Sequence, residues 1–254
     1  MKLSPGLHSV AKTVICVSIG ICLYWGISLD LDALAYARQE RIAFRIILGD
    51  TFQTDFVSSL ALKAPRGNDV GGCNPSLVRS TAIIDLNLAE ESYALADRLA
   101  IDWRMGQVEN STRAALECAP SDAFLWCVRY WVEVVKYGFK DEFLTDLKMS
   151  YNLGPHEAWI AEKRNSLALA VFDRLGPKLQ DMVVAEYAGM LDAGLIQQAF
   201  DNLVGPGFSI QNRLLGALGN VRLIHREWLA KGLREAGYRI DVPGVELTEE
   251  RPWR

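Results

Sequence analysis

Two stretches decide the fold: Ala114-Ala115-Leu116-Glu117-Cys118-Ala119-Pro120, followed by Ser121-Asp122, and Met149-Ser150-Tyr151-Asn152-Leu153-Gly154-Pro155, followed by His156-Glu157. Each carries an apolar-periodic run into a proline, and each is soon followed by a tryptophan, Trp126 or Trp159. Proline cannot continue a helix, so both stretches read as helix-turn-helix junctions. The two prolines stand 35 positions apart, room for one helical hairpin. The region from Arg113 to Arg174 is therefore expected to hold stacked α-helical hairpins, with the rest of the chain extending the array.

Between the junctions, Asp122 to Tyr137 predicts the central helix. Its charges, Asp122, Arg129, Glu133 and Lys136, fall on one stripe at helical spacing. The remaining surface is apolar or aromatic, which predicts neighbours on several sides. Outward from it, Gly and Pro punctuation predicts further helices over 76–99, 106–118, 141–153, 156–175, 195–203, 210–218 and 221–236, and one opening at Pro177. Residues 51–62 receive no element. Lys63 to Ser76 reads as a loop rich in Gly, Pro and Asn. No convincing strand appears, so the class is all-α. The tail from Tyr238 onward carries Pro243, Gly244 and Pro252 and is expected to be extended, packed through Val245, Leu247 and Trp253.

The N-terminus has a different character. Thr13 to Leu29 is a 17-residue run without a charge, flanked by Lys12 and Asp30. With Val10 and Ala11 it approaches the ~20 residues that span a bilayer, and Tyr24 and Trp25 suit the interface. The expectation is a transmembrane signal anchor over 13–29. Residues 1–12 would be cytoplasmic and 30–254 periplasmic, by the excess of lysine on the N-terminal side. A cleaved signal peptide, with A-x-A-like sites at Ala33-Leu34-Ala35 and Ala35-Tyr36-Ala37, and a buried core helix are the competing readings. Past the run, 30–75 reads as a neck helix and the Gly/Pro-rich loop, 76–237 as the helical domain, and 238–254 as the tail. Arg38, Arg41 and Arg45 share one face of the neck helix, facing either lipid headgroups or solvent.

The hairpins resemble tetratricopeptide-like proteins. Ala114, Ala115, Leu116 and Pro120 look like the end of one such repeat, and Trp126, Gly138, Tyr151, Leu153 and Pro155 like most of the next. Arg129, Tyr130 and Glu133 depart from the motif. The resemblance implies a degenerate α-solenoid of helical hairpins. A membrane anchor ahead of such an array also resembles accessory proteins of bacterial exopolysaccharide synthesis and export. That implies a non-enzymatic scaffold or assembly factor working by protein–protein interaction in the cell envelope. The competing reading is an exported carbohydrate- or polymer-binding or processing module.

Chemistry is sparse. Residues 30–254 hold 25 basic and 31 acidic residues, a balance unsuited to nucleic acid, and no nucleic-acid partner is expected. The three histidines, His8, His156 and His225, make no metal-ligand spacing, and Asp69-Val70-Gly71-Gly72 lacks the ending of a phosphate loop. No catalytic, metal or cofactor residue is assigned. Cys73 is expected to reach Cys118 as a disulfide if its compartment is oxidising, with Cys118–Cys127 and three free thiols as competitors. Candidate partner-surface residues are Arg164 and Asn165 near Trp159, and Arg222, Arg226 and Arg234 on the basic last helix. For both groups the alternative is an ordinary structural role, as internal ion pairs or a solvated face.

Overall fold

A computed structural model describes residues 5–63, 73–95, 98–155 and 157–246, excepting the side chains of 5–13, 23, 25–35, 63, 98 and 99. Among these residues every regular element is a helix. Eleven α-helices follow in order: α1 (Pro5–Ile47), α2 (Thr54–Lys63), α3 (Pro75–Ala94), α4 (Arg98–Cys118), α5 (Ala123–Tyr137), α6 (Leu144–Leu153), α7 (Ala158–Leu169), α8 (Pro177–Asp192), α9 (Ile196–Val204), α10 (Gln211–Gly216) and α11 (Leu223–Glu235). Short 3-10 turns lie at 141–143, 172–174, 208–210 and 217–220.

Local chemistry sets the helix ends. Asn74 caps α3 by accepting from the Leu77 amide at 3.2 Å, and Pro75 follows at the first helical position, where its missing N–H costs nothing. Asp122 caps α5, accepting from Phe124 and Leu125. Gly237 closes α11 with φ of 84°; there Tyr238 N–H reaches Leu233 C=O and Gly237 N–H reaches Arg234 C=O, the doubly bonded glycine stop.

Consecutive helices pack in sequence, α3 on α4, α4 on α5, α5 on α6, α7 on α8 and α8 on α9, with α9 meeting α11. Contacts between alternate helices, α5 with α7, α6 with α8 and α7 with α9, join the hairpins. The largest core runs from Tyr130 of α5 through Tyr151, Val183, Tyr187 and Leu203 to Leu233 of α11 and Val242 of the tail. Four smaller clusters fill the other end, and Phe124 packs against all four. Ala123, Leu125, Cys127, Val128, Tyr130 and Val132 of α5 are buried as its thin polar stripe predicts, while Val135 and Tyr137 at its end are exposed.

The two proline junctions are fastened differently. At the first, Trp126 Nε1 donates to Pro120 C=O at 2.8 Å, and the Asp122 carboxylate pairs with Arg79 at 2.6 Å. At the second, Gly154 lies so close to α5 that a Cβ there would sit 2.6 Å from the Ala123 Cβ. Glycine is required for that approach.

Several sequence expectations change. The helix expected over 76–99 stops at Ala94, and α4 begins at Arg98, well before Gly106. Gly106 is carried inside α4 because Met105 and Val108 beside it are buried. The helix expected over 156–175 ends at Leu169. The chain turns so that Phe172 and Leu175 enter the core, and the Gln180 amide binds both of their carbonyls. Residues 54–63 form α2, burying Val57 and Ala61 against Ala43, Ile83 and Ile84. The stretch expected to be a neck thus belongs to the same core as α3, and Gln39 donates to Thr81 at 2.8 Å. In the tail Val242 is buried and Val245 packs on the core, while Leu247 and Trp253 lie outside the described residues, as does His156. Among the described residues no helix is long and apolar enough to cross a membrane; the segment 13–29 falls only partly within them.

Cys73 and Cys118 form a disulfide with Cα atoms 5.6 Å apart, while Cys127 is a buried free thiol whose pKa burial pushes up to about 12. The bond spans 45 positions and ties the entry of α3 to the exit of α4. Loop-closure entropy for such a span sets an upper figure of about 4 kcal/mol. The paired change Cys73→Ser/Cys118→Ser is expected to cost about 2–4 kcal/mol, measured by denaturant unfolding with and without reductant. Reductant should lower the stability of the parent and leave the variant unmoved.

Candidate interaction surface

The five arginine and asparagine positions expected at a partner surface divide sharply. Arg164 and Asn165 are each 0% exposed, so they form no surface. The physical reason lies in α8. Glu186 projects from it into the core and draws the Arg164 guanidinium inward; Nε donates to Glu186 Oε1 at 3.0 Å, and Nη2 pairs with the same oxygen. Nη1 donates to Ser150 C=O at 2.7 Å and to its hydroxyl at 3.0 Å, and Nη2 also reaches Gly154 C=O at 2.9 Å. The other Glu186 oxygen accepts from Tyr151 Oη at 2.5 Å and from the Asn165 amide at 3.3 Å. Asn165 also donates to Val183 C=O and accepts from Asn202. The Tyr151 ring lies under the guanidinium, 4.1 Å from centroid to Cζ. Burial and the adjoining Glu186 charge hold the Tyr151 hydroxyl well above its usual pKa. This network locks α6 through α9 together.

Arg222, Arg226 and Arg234 do lie on or beside α11. Arg222 fixes the helix entry: its backbone N–H donates to Asp192 Oδ1 at 2.9 Å and its Nε at 3.3 Å. That backbone bond, with the neighbouring guanidinium, lowers the pKa of the Asp192 carboxyl. Arg226 clips the tail, donating to Pro243 C=O at 2.6 Å. Arg234 is exposed on the last turn. The apolar residues among them carry no expectation from the sequence. Leu223, Ile224 and Trp228 are 48%, 45% and 52% exposed, and Trp228 packs on the buried His225 ring at 5.5 Å. Ile224 and Trp228, one turn apart, stand on one face of α11, bordered by Lys231. Grouped exposed apolar side chains with a polar rim are the mark of a contact surface. The signal in the sequence was the Leu223-Ile224 pair outside the apolar stripe that His225, Leu229 and Leu233 define.

Among the described residues no three His, Cys, Asp or Glu side chains gather as metal ligands. Family models, curated proteins and solved structures offer no match to the chain.

Removing one partner of a buried ion pair leaves the other charge without a partner or water. Arg164→Met is therefore expected to cost about 3–5 kcal/mol in urea unfolding. Adding Glu186→Leu should recover part of that loss, since two apolar groups replace two charges. A double variant no better than the single would contradict this account.

Proposed function

We propose that the chain is a membrane-anchored, non-enzymatic interaction protein. The anchor reading rests on one observation. Val14, Ile15, Val17, Ile19 and Ile21 of α1 are apolar and more than half exposed, in a run from Thr13 to Leu29 that carries no charge. An apolar helix without a polar face needs a nonaqueous surrounding, and a bilayer supplies it. On this reading 13–29 is a single-pass span of the inner membrane with the N-terminus in the cytoplasm. The helical body is periplasmic, where the Cys73–Cys118 disulfide would persist.

The body reads as a degenerate tetratricopeptide-like solenoid. The hairpins α5–α6 and α7–α8 follow each other across Pro155, and the contacts of α5 with α7 and of α6 with α8 support this reading. The outer face of α11 is the proposed partner surface. Its Leu223, Ile224 and Trp228, with Arg222, Lys231 and Arg234 nearby, suit an apolar protein segment flanked by acidic side chains. The role in this reading is scaffolding or assembly of an envelope machinery, with exopolysaccharide synthesis or export suggested by the resemblance of anchor plus hairpins.

The test is carried out on the full chain in membranes. Residues 30–254 should be cut by protease only after the outer barrier is permeabilised, and detergent should be needed to extract the chain. A photo-crosslinker at the exposed Lys231 position should capture a protein that Trp228→Glu loses, with the circular dichroism spectrum unchanged. Protection of the body on the cytoplasmic side would overturn the topology, and crosslinks unaffected by Trp228→Glu would overturn the surface.

A further inference from the structure

Asp146, in the first turn of α6, presses its carboxylate against α5. Its side chain is 8% exposed. Oδ2 lies 3.0 Å from Arg129 Nε but accepts no hydrogen bond. The reason is a count of hydrogens. Arg129 Nε carries one, and it donates that hydrogen to Glu133 Oε1 at 3.2 Å. Two carboxylates thus meet at one N–H, and the more buried of them lacks a donor. Buried polar atoms are almost always satisfied, so the missing donor must come from elsewhere.

We propose that Asp146 and Glu133 share a proton in the folded protein, so that the α5–α6 contact is a proton-linked clasp. The proton sits on Asp146 and is donated across to Glu133, which keeps its bond from Arg129. Other charges around Asp146 do not compete. From α5, Arg129 and Glu133 face it. Asp141 and Glu142 of the adjoining turn pair with Arg174 and Lys140, and Asp181 and Glu186 of α8 pair with Arg213 and Arg164. Burial first, and the Glu133 charge second, push Asp146 up to about 7, against the partial relief from Arg129.

The sign follows from linkage. An ordinary aspartate releases its proton near pH 4, whereas the folded chain holds this one to about 7. Across that window folding takes up a proton, so this contribution to stability is complete below about pH 4, declines as pH rises and is gone above about 7. Its steepest slope is about tenfold in the folding constant per pH unit.

Two measurements test the clasp. With [13C]carboxyl-labelled aspartate in the full chain, one signal should titrate near neutrality, be missing in Asp146→Asn, and move to lower pH in Glu133→Gln. In urea unfolding, the ratio of parent to Asp146→Asn folding constants should fall across pH 4 to 7 and be level above. If Asp146→Asn does not fold, the parent signal and its displacement in Glu133→Gln decide alone. An aspartate spectrum fully titrated below pH 5.5 would overturn the proposal, as would a near-neutral signal that Glu133→Gln leaves in place.

Discussion

A guanidinium with no access to water dictates the arrangement of four helices. Arg164 cannot lose its charge, so each buried N–H has to find an acceptor. The acceptors come from Glu186 of α8 and from Ser150 and the Gly154 carbonyl at the end of α6. Ser150 C=O also accepts from the Gly154 N–H, so the guanidinium adds a second donor at the end of α6. A cation placed there meets the negative end of the helix dipole. One side chain thereby ends a helix, neutralises a carboxylate and sets the spacing of α6, α7 and α8. Asn165 and Asn202 pass the same constraint to α9. Hydrophobic packing alone would tolerate sliding of these helices; a network in which each member needs the next does not.

The other end of the molecule is organised by shape. Phe124 stands at the start of α5, where the clusters contributed by α1, α2, α3, α4 and α7 meet, and packs against all of them. The Arg79 guanidinium lies over the Phe124 and Trp159 rings while it pairs with Asp122. The cap of α5, its first aromatic and the second junction's tryptophan are held by a single side chain from α3. Further along α5, Tyr130 enters the large core. The central helix therefore joins an aromatic, shape-governed half to a half governed by a buried charge.

These two halves differ in how far the sequence reveals them. Helices bounded by Pro, Gly or an Asp cap, α5, α6, α8 and α11, can be read because their stop signals are local. Gly106 misleads since helix-breaking is a modest cost, ~1 kcal/mol, that Met105 and Val108 override by burial. Phe172 and Leu175 keep a helical apolar spacing, yet it is a turn that carries both into the core. The placement of Arg164 was hardest, for its partner is 22 positions away on another helix. Its signal was there nevertheless. Arg164 lies in the stripe Ile160, Ala161, Ala168, and Glu186 lies in the stripe Val183, Tyr187, Met190. Opposite charges, each inside an apolar stripe, are better read as a buried pair than as two surfaces.

The 43 residues of α1 rise by about 64 Å, and its C-terminal turns touch the body through Gln39, Ile42 and Ala43. Between Ile27 and Ile47 the helix holds neither glycine nor proline, the residues at which helices most often kink. If the apolar end is held in a bilayer as proposed, the buried end transmits that orientation directly to α3, and α2 wedges the joint from the side. A flexible linker would let the body turn toward any partner; a continuous helix seated in its own core allows a narrow set of orientations. The exposed face of α11 would then be presented at a fixed attitude, which favours contact with a neighbour in the same membrane assembly over capture of a freely diffusing ligand.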